Sequence, residues 1–369
     1  MKKVSLLLAM LSIVFAVSCK KDTAPAPEPT PVPAGPTDLS AAGSANCYIV
    51  SAPGSYTFKA VKGNSTESVG DVALATVLWE SFGTSVQPTV GSLIAEVSVS
   101  TETGFVTFST PETLENGNAL IAVKDAYNKI LWSWHIWLCN GYDALASAQV
   151  YFNEAGTMMD RNLGATSATP GTVGALGLLY QWGRKDPFIG SSNINDLRRA
   201  ESTSEFSHTA STATTGTLEY ATQHPETFLT SEDDWLNTAN DNLWKSVKTI
   251  YDPCPPSWCV PSGEGYNQSI WMKAKDTSKP IYEFDMDLKG IDFTQKFGNA
   301  ASIWYPGAGC MNKTSGDLNY VGEDGCWWSY TLSGTSSACA LIDYESLSSD
   351  MIITPDKRAS GLSVRCCRE

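Results

Sequence analysis

The chain has 369 residues, more than twice the usual domain of about 150 residues, which excludes a single small module and predicts two folded units plus processing segments. Hydrophobic residues make up 42% and charged residues 17%, which excludes a largely disordered chain. Twenty-five basic against 39 acidic residues give a net charge of −14 that repels phosphate backbones and excludes nucleic acid as the expected partner, while ten cysteines point to disulfides in an oxidising compartment.

Lys2 and Lys3 precede an almost wholly apolar run over 4–17. This pattern predicts a secretory signal peptide over 1–18, too short for a transmembrane helix of about 20 apolar residues. Ala16-Val17-Ser18 before Cys19 resembles the bacterial lipobox, which implies cleavage before Cys19 and lipid on that residue. Over 19–38, proline at 25, 27, 29, 31, 33 and 36 enforces extended polyproline II, a semi-rigid tether of about 3.1 Å per residue. Signal, anchor and tether together predict a protein held in the outer membrane through lipid on Cys19 and facing the cell exterior.

Between 47 and 138 seven segments alternate apolar and polar residues: 47–51, 55–61, 75–82, 94–100, 104–109, 118–125 and 130–138. Turn formers such as Ala52-Pro53-Gly54 separate them, and together they predict an antiparallel immunoglobulin-like β-sandwich over 39–140. In the last segment Trp132, Trp134 and Ile136 share one face; Leu131, Ser133, His135 and Trp137 share the other. One face should be core. Cys47 begins the first strand and Cys139 follows the last, so a disulfide between them is expected, stabilising by about 4 kcal/mol. His135 has no acidic or histidine neighbour in sequence and reads as a hydrogen-bonded strand histidine rather than a metal ligand.

Beyond 140 the texture becomes irregular and richer in Gly, Trp and Asp. Asn153-Glu-Ala-Gly156 predicts a hairpin turn with glycine at positive φ. Asp160 with Arg161, and Arg184 with Asp186, read as buried structural ion pairs. A helix is expected within 217–228, and another, N-capped at Ser262, with Ile270 and Trp271 facing inward. Five motifs follow in order: Tyr151-Phe-Asn-Glu-Ala-Gly-Thr, Met159-Asp-Arg-Asn-Leu-Gly-Ala165, Leu178-Leu-Tyr-Gln-Trp-Gly-Arg-Lys-Asp-Pro-Phe188, Tyr251-Asp-Pro-Cys-Pro-Pro-Ser-Trp-Cys-Val-Pro261 and Gly361-Leu-Ser-Val-Arg-Cys366.

Together they resemble the Fibrobacter succinogenes major paralogous domain family of Bacteroidetes surface lipoproteins, over 141–369. The resemblance implies an α+β C-type lectin-like domain behind the sandwich, hence a β-rich two-domain fold. It also implies a disulfide between Cys254 and Cys366. Cys310 and Cys326 read as neighbours on one hairpin and form a further expected pair. Cys259, Cys339 and Cys367 then compete for the last bond. With Cys19 lipidated, nine cysteines remain, so at least one thiol is left over.

No nucleophile elbow, Walker loop, zinc-helix motif or dinucleotide fingerprint occurs in context, so no catalytic residue, metal or cofactor is expected. The binding signals are aromatic and acidic: Trp304, Tyr320, Glu323, Asp324, Trp327, Trp328 and Tyr344 fall where lectin-like folds place their long-loop face. Aromatic rings stack on sugar faces while carboxylates accept from hydroxyls. The expected function is therefore non-catalytic binding or adhesion toward glycan or a surface protein. The alternatives are a fimbrial tip or accessory subunit assembled with pilus subunits, and an enzyme on a fold related to formylglycine-generating enzymes.

Overall fold

All seven alternating segments form strands, because each can bury one side of a pleated ribbon. The computed structural model describes residues 35–369 apart from 264–268, 276–277, 279–283, 299–301, 335 and 343–351, with backbone alone at 336–342 and 352. The lipid site Cys19 and the tether up to residue 34 lie outside the described residues; the tether's expected end at 38 is corrected, because Thr37 and Asp38 form a strand paired with Tyr56 and Thr57 and so belong to the folded part. In chain order the first strands are β1 (Thr37–Asp38), β2 (Cys47–Val50), β3 (Ser55–Lys59), β4 (Leu74–Ser81), β5 (Glu96–Val99), β6 (Phe105–Ser109), β7 (Gly117–Lys124) and β8 (Ile130–Leu138). They form two four-stranded sheets, in the orders β1-β3-β6-β5 and β2-β8-β7-β4.

The sheets face each other across a core that includes Tyr48, Phe58, Phe108, Ile121, Trp134 and Ile136. Phe58 of one sheet meets Tyr48 and Trp134 of the other, with ring centroids 5.0 and 5.1 Å apart. Pairing is antiparallel except for β1 with β3 and β2 with β8, which are parallel.

That parallel pairing overturns the expected Cys47–Cys139 disulfide. Cys47 stands opposite His135 and Val50 opposite Leu138, so Cys139 lies beyond the far end of β2, about 13 Å along the strands at ~3.3 Å per residue. A disulfide needs Cα atoms within about 7 Å. Both residues are buried thiols.

The C-terminal region is built from short pieces. β9 (Gln149–Tyr151) and β10 (Gly156–Met158) form the predicted hairpin, with Asn153 and Glu154 at φ 55° and 53° and Gly156 at 134°. Next come β11 (Leu179–Gln181), β12 (Ser207–Ala210), α1 (Leu218–Gln223), β13 (Thr227–Thr230), β14 (Trp258–Cys259) and α2 (Ile270–Ala274). The remainder comprises β15 (Gly290–Asp292), α3 (Thr294–Phe297), β16 (Trp304–Pro306), β17 (Cys310–Met311), β18 (Leu318–Asn319), β19 (Gly325–Ser333), β20 (Ser336–Ile342), β21 (Ile352–Lys357), β22 (Gly361–Ser363) and β23 (Cys367–Arg368). Thr217 caps α1, its hydroxyl accepting from the Tyr220 amide. Ser269, not Ser262, caps α2, and Ile270 and Trp271 are buried as expected.

The largest sheet has the order β18-β17-β22-β19-β20-β21, with β11 also on β22. This order corrects the expected Cys310–Cys326 hairpin. The hairpin partner of Cys310 is Asn319, and β22 comes between β17 and β19 apart from one bridge at Gly309 and Gly325. Cys310 is a thiol. The Cys254–Cys366 disulfide is present as the family resemblance implied.

Residues 36–369 form one compact unit. Packing crosses position 140 through β8, whose second face is as buried as its first. Trp137 and its neighbours Trp79 and Leu120 share a core with Tyr180, Trp182, Trp328 and Val364. The polar groups on that face are satisfied from the C-terminal side. The Ser133 hydroxyl donates to Asp186 Oδ1 at 2.7 Å, and Lys185 Nζ donates to the same carboxylate and to Ser133 Oγ, each at 2.6 Å. The β4 edge is covered as well: the Thr203 amide donates to the Glu80 carbonyl, and the Ser81 hydroxyl donates to that of Glu201.

His135 sits in this interface with Nε2 2.8 Å from Asn118 Oδ1, and burial pushes its imidazole down to about 3. The folded ring thus stays neutral where an unfolded one, titrating near 6.5, takes up a proton. The unfolded state binds more protons across that window, so the His135 contribution, complete above 6.5, is lost as pH falls toward 3. Relative to His135→Gln, the wild type is expected to lose roughly 2 kcal/mol between pH 7 and pH 5. Urea unfolding at both pH values measures the difference, and parallel changes in the two proteins would contradict it.

Candidate functional site

The sequence-predicted aromatic site is not assembled on the surface. Trp304, Trp327 and Trp328 are all buried. The Trp327 indole donates to Asn162 Oδ1 and the Trp328 indole to the Tyr180 carbonyl, each at 2.7 Å. Only Tyr320 and Glu323 of the set are exposed, with Asp324 half-buried, and Tyr344 lies outside the described residues. Indeed all twelve tryptophans of the chain are buried. The high tryptophan count describes the core.

The ordered motifs converge on that core. Asn162 Oδ1 accepts from Trp327 and also from Arg365, whose guanidinium donates to the Trp304 carbonyl at 2.7 Å and lies 3.8 Å over the Tyr305 ring. Cys254 and Cys366 join the fourth motif to the fifth. The Trp182 indole donates to the Ser329 carbonyl, and Trp235 to that of Trp182. Asn162 with Arg365 and Cys254 with Cys366 thus hold motif to motif, while Trp182 ties the third motif to residues outside the five.

Asp160 and Arg161 form the expected ion pair, at 2.8 Å, with Arg161 stacked on Tyr142. The Arg184–Asp186 pairing is corrected. Asp186 pairs with Lys185, whereas Arg184 donates to the Thr227 carbonyl at 2.8 Å and to Gln181 Oε1 at 3.2 Å, near the last turn of α1. Consecutive residues 184 and 185 project to different neighbours, so the nearer cation in sequence takes the carboxylate. Burial pushes Arg184 down to about 10.

The strongest candidate site is a cleft of about 640 Å³ at one end of the β2-β8-β7-β4 sheet. β7 runs antiparallel to both neighbours, with Asn118 opposite Ser81 and Gly117 opposite Leu138. The end of β4, the start of β7 and the end of β8 are therefore brought together. Their flanking residues Phe82, Glu115, Asn116 and Asn140 line the cleft, joined by Thr84, Thr166, the exposed Val86 and the buried Leu114. The Asn140 amide donates to Asn116 Oδ1 at 2.7 Å, which orients the Asn116 side chain and leaves its Nδ2 as a donor. The half-buried Phe82 ring supplies an apolar wall. Amides, hydroxyls, one carboxylate and one aromatic ring can bind a neutral, hydroxyl-rich molecule. Phe82, Glu115, Asn116 and Asn140 flank strand ends that are visible in sequence, but only the strand order shows that they share one end, and Thr166 reaches it from the loop between β10 and β11.

Among the described residues no group of three or more His, Cys, Asp or Glu is placed to hold a metal ion. Among them, too, no helix is long and apolar enough to cross a membrane. No family model, curated protein or solved structure matches the chain.

Burial of every indole makes the tryptophan fluorescence insensitive to a charged quencher. Iodide is expected to quench the native protein only weakly and the urea-unfolded protein several-fold more strongly. A large iodide-accessible fraction in the native state would contradict the placement of Trp304, Trp327 and Trp328.

Proposed function

We propose that this chain is an outer-membrane lipoprotein, anchored at Cys19, that binds glycan without catalysis through the cleft between Phe82, Asn116 and Asn140. The carrying observation is the chemistry of that cleft: an oriented amide, hydroxyls and a carboxylate beside an apolar wall of Phe82, Leu114 and Val86. A protein ligand would call for a larger apolar patch or a dominant charge. The signal, lipobox and proline tether support display at the cell exterior, and the acidic balance supports a soluble, repelling surface. Two facing sheets ahead of an irregular region of short strands and helices support an immunoglobulin-like module followed by a C-type lectin-like one of the Fibrobacter paralogous family. In that reading the sandwich end, rather than the lectin-like long-loop face, carries the ligand.

A non-enzymatic role is supported by how the ionisable groups are spent. Arg358 joins Asp234 and Asp241, Lys185 joins Asp186, and Asp252 accepts from the amides of Cys254 and Val260. These groups hold loops in place.

A glycan array probed with the full chain is the test. Binding to one glycan class is expected, and Phe82→Ala should weaken it about tenfold through loss of ring contact of the order of 1 kcal/mol. Unchanged binding by Phe82→Ala, with the far-UV spectrum preserved, would remove the cleft as the site. Failure to bind glycans would remove the ligand class.

A further inference from the structure

We propose that Cys259 and Cys367 are a second disulfide-forming pair, which seals the C-terminal strand beside the Cys254–Cys366 bond. Cys259 ends β14 and Cys367 begins β23, and the antiparallel ladder sets the two directly opposite each other. Their sulfurs are 3.6 Å apart. A disulfide bond is about 2.05 Å long, so each sulfur needs to move by less than about 1 Å. The backbone on both sides is already fixed, since β23 is paired to β14 on one edge and to β10 on the other. Cys366 is committed to Cys254, which leaves Cys367 facing Cys259.

Accessibility separates this pair from Cys47 and Cys139. Those thiols are buried and sit at opposite ends of a parallel strand pair, whereas Cys259 and Cys367 are half-buried and face each other across one antiparallel rung. With two sulfurs and no third ligating group beside them among the described residues, the pair is not a metal cage.

Oxidation proceeds by thiol–disulfide exchange with a small-molecule disulfide such as oxidised glutathione. The thiolate of one cysteine attacks a glutathione sulfur, forming a mixed disulfide and releasing one glutathione thiolate. The second cysteine thiolate then displaces the other glutathione, forming the Cys259–Cys367 bond. The protein gives up two protons and two electrons, and glutathione disulfide takes both to become two thiols. The closed pair ties β14 to β23 five residues from the first bond, so that the segment between 254 and 259 is joined to two consecutive residues, Cys366 just before β23 and Cys367 at its start.

The experiment uses the full chain, equilibrated with oxidised glutathione, denatured without reduction, alkylated and digested with chymotrypsin. Cleavage after Trp258 separates Cys254 from Cys259, and fragmentation between Cys366 and Cys367 in the mass spectrometer assigns each bond. The expected result is Cys259 linked to Cys367, lighter by two hydrogens than the reduced pair, with Cys254–Cys366 intact. Alkylation of both Cys259 and Cys367 in protein that keeps the first bond would overturn the proposal, as would either residue linked to Cys339. In Cys259→Ser, Cys367 should become alkylatable, a gain of one thiol with an unchanged far-UV spectrum. If that variant does not fold, the wild-type map decides alone. This inference is independent of the ligand reading, and the array and the peptide map fail separately.

Discussion

From Trp132 to Leu138 strand β8 has no solvent face, and the rest of the structure follows from that. Trp132, Trp134 and Ile136 fill the space between the two sheets, while Ser133, His135 and Trp137 point into the C-terminal region. A buried polar group left unpaired costs of the order of 1–3 kcal/mol, and although the Trp134 Nε1 is left so on the inter-sheet face, Ser133 and His135 on the other face both have partners. The C-terminal region supplies the partners: Lys185 and Asp186 for Ser133, and Tyr180 on the far side of His135 from Asn118. Asn46, just before β2, repeats the arrangement, donating to the carbonyls of Ile250 and Asp252 while accepting from the Trp132 indole. Neither half can leave without exposing the other's interior.

This constraint assigns the tryptophan-rich motifs to folding and leaves recognition to loops. Arg365 and Arg358 are buried cations held by carbonyls, carboxylates and the faces of Tyr305 and Trp182. Such groups need their full set of partners, since removing one strands a charge in the interior. A ligand could reach those indoles only by disrupting that set. The ends of β4, β7 and β8 are free of it, because their register is already fixed by the strands, so the loop residues there can change chemistry without loosening the core.

Sequence periodicity located seven of the eight strands in the two sheets, since alternation is a local signal of a pleated surface, and missed the two-residue β1, too short to alternate, at the end of the expected tether. It could not show that β8 is buried twice, because it asked for only one core face and the partners of Ser133 lie some fifty positions away in the chain. Chain direction was equally hidden. The Cys47–Cys139 expectation assumed that the first and last strands run oppositely, and their parallel pairing separates the sulfurs. The Cys254–Cys366 bond was legible through the family resemblance, whereas the facing of Cys259 and Cys367 needed the β14–β23 register. Aromatic count pointed to a binding face at Trp304, Trp327 and Trp328. It measured core volume instead: the Trp327 and Trp328 indoles donate to Asn162 and to the Tyr180 carbonyl, and Trp304 is buried even with its Nε1 unpaired among the described residues.

The shared burial of β8 makes residues 36–369 one cooperative unit despite the change of texture at 140. Hydrogen exchange followed by mass spectrometry at increasing denaturant reads this most directly. One unit requires the amides of β8 and of β22 to open with the same free energy and the same denaturant dependence. Full exchange of β22 while β8 remains protected would show that the two halves unfold separately and would contradict it.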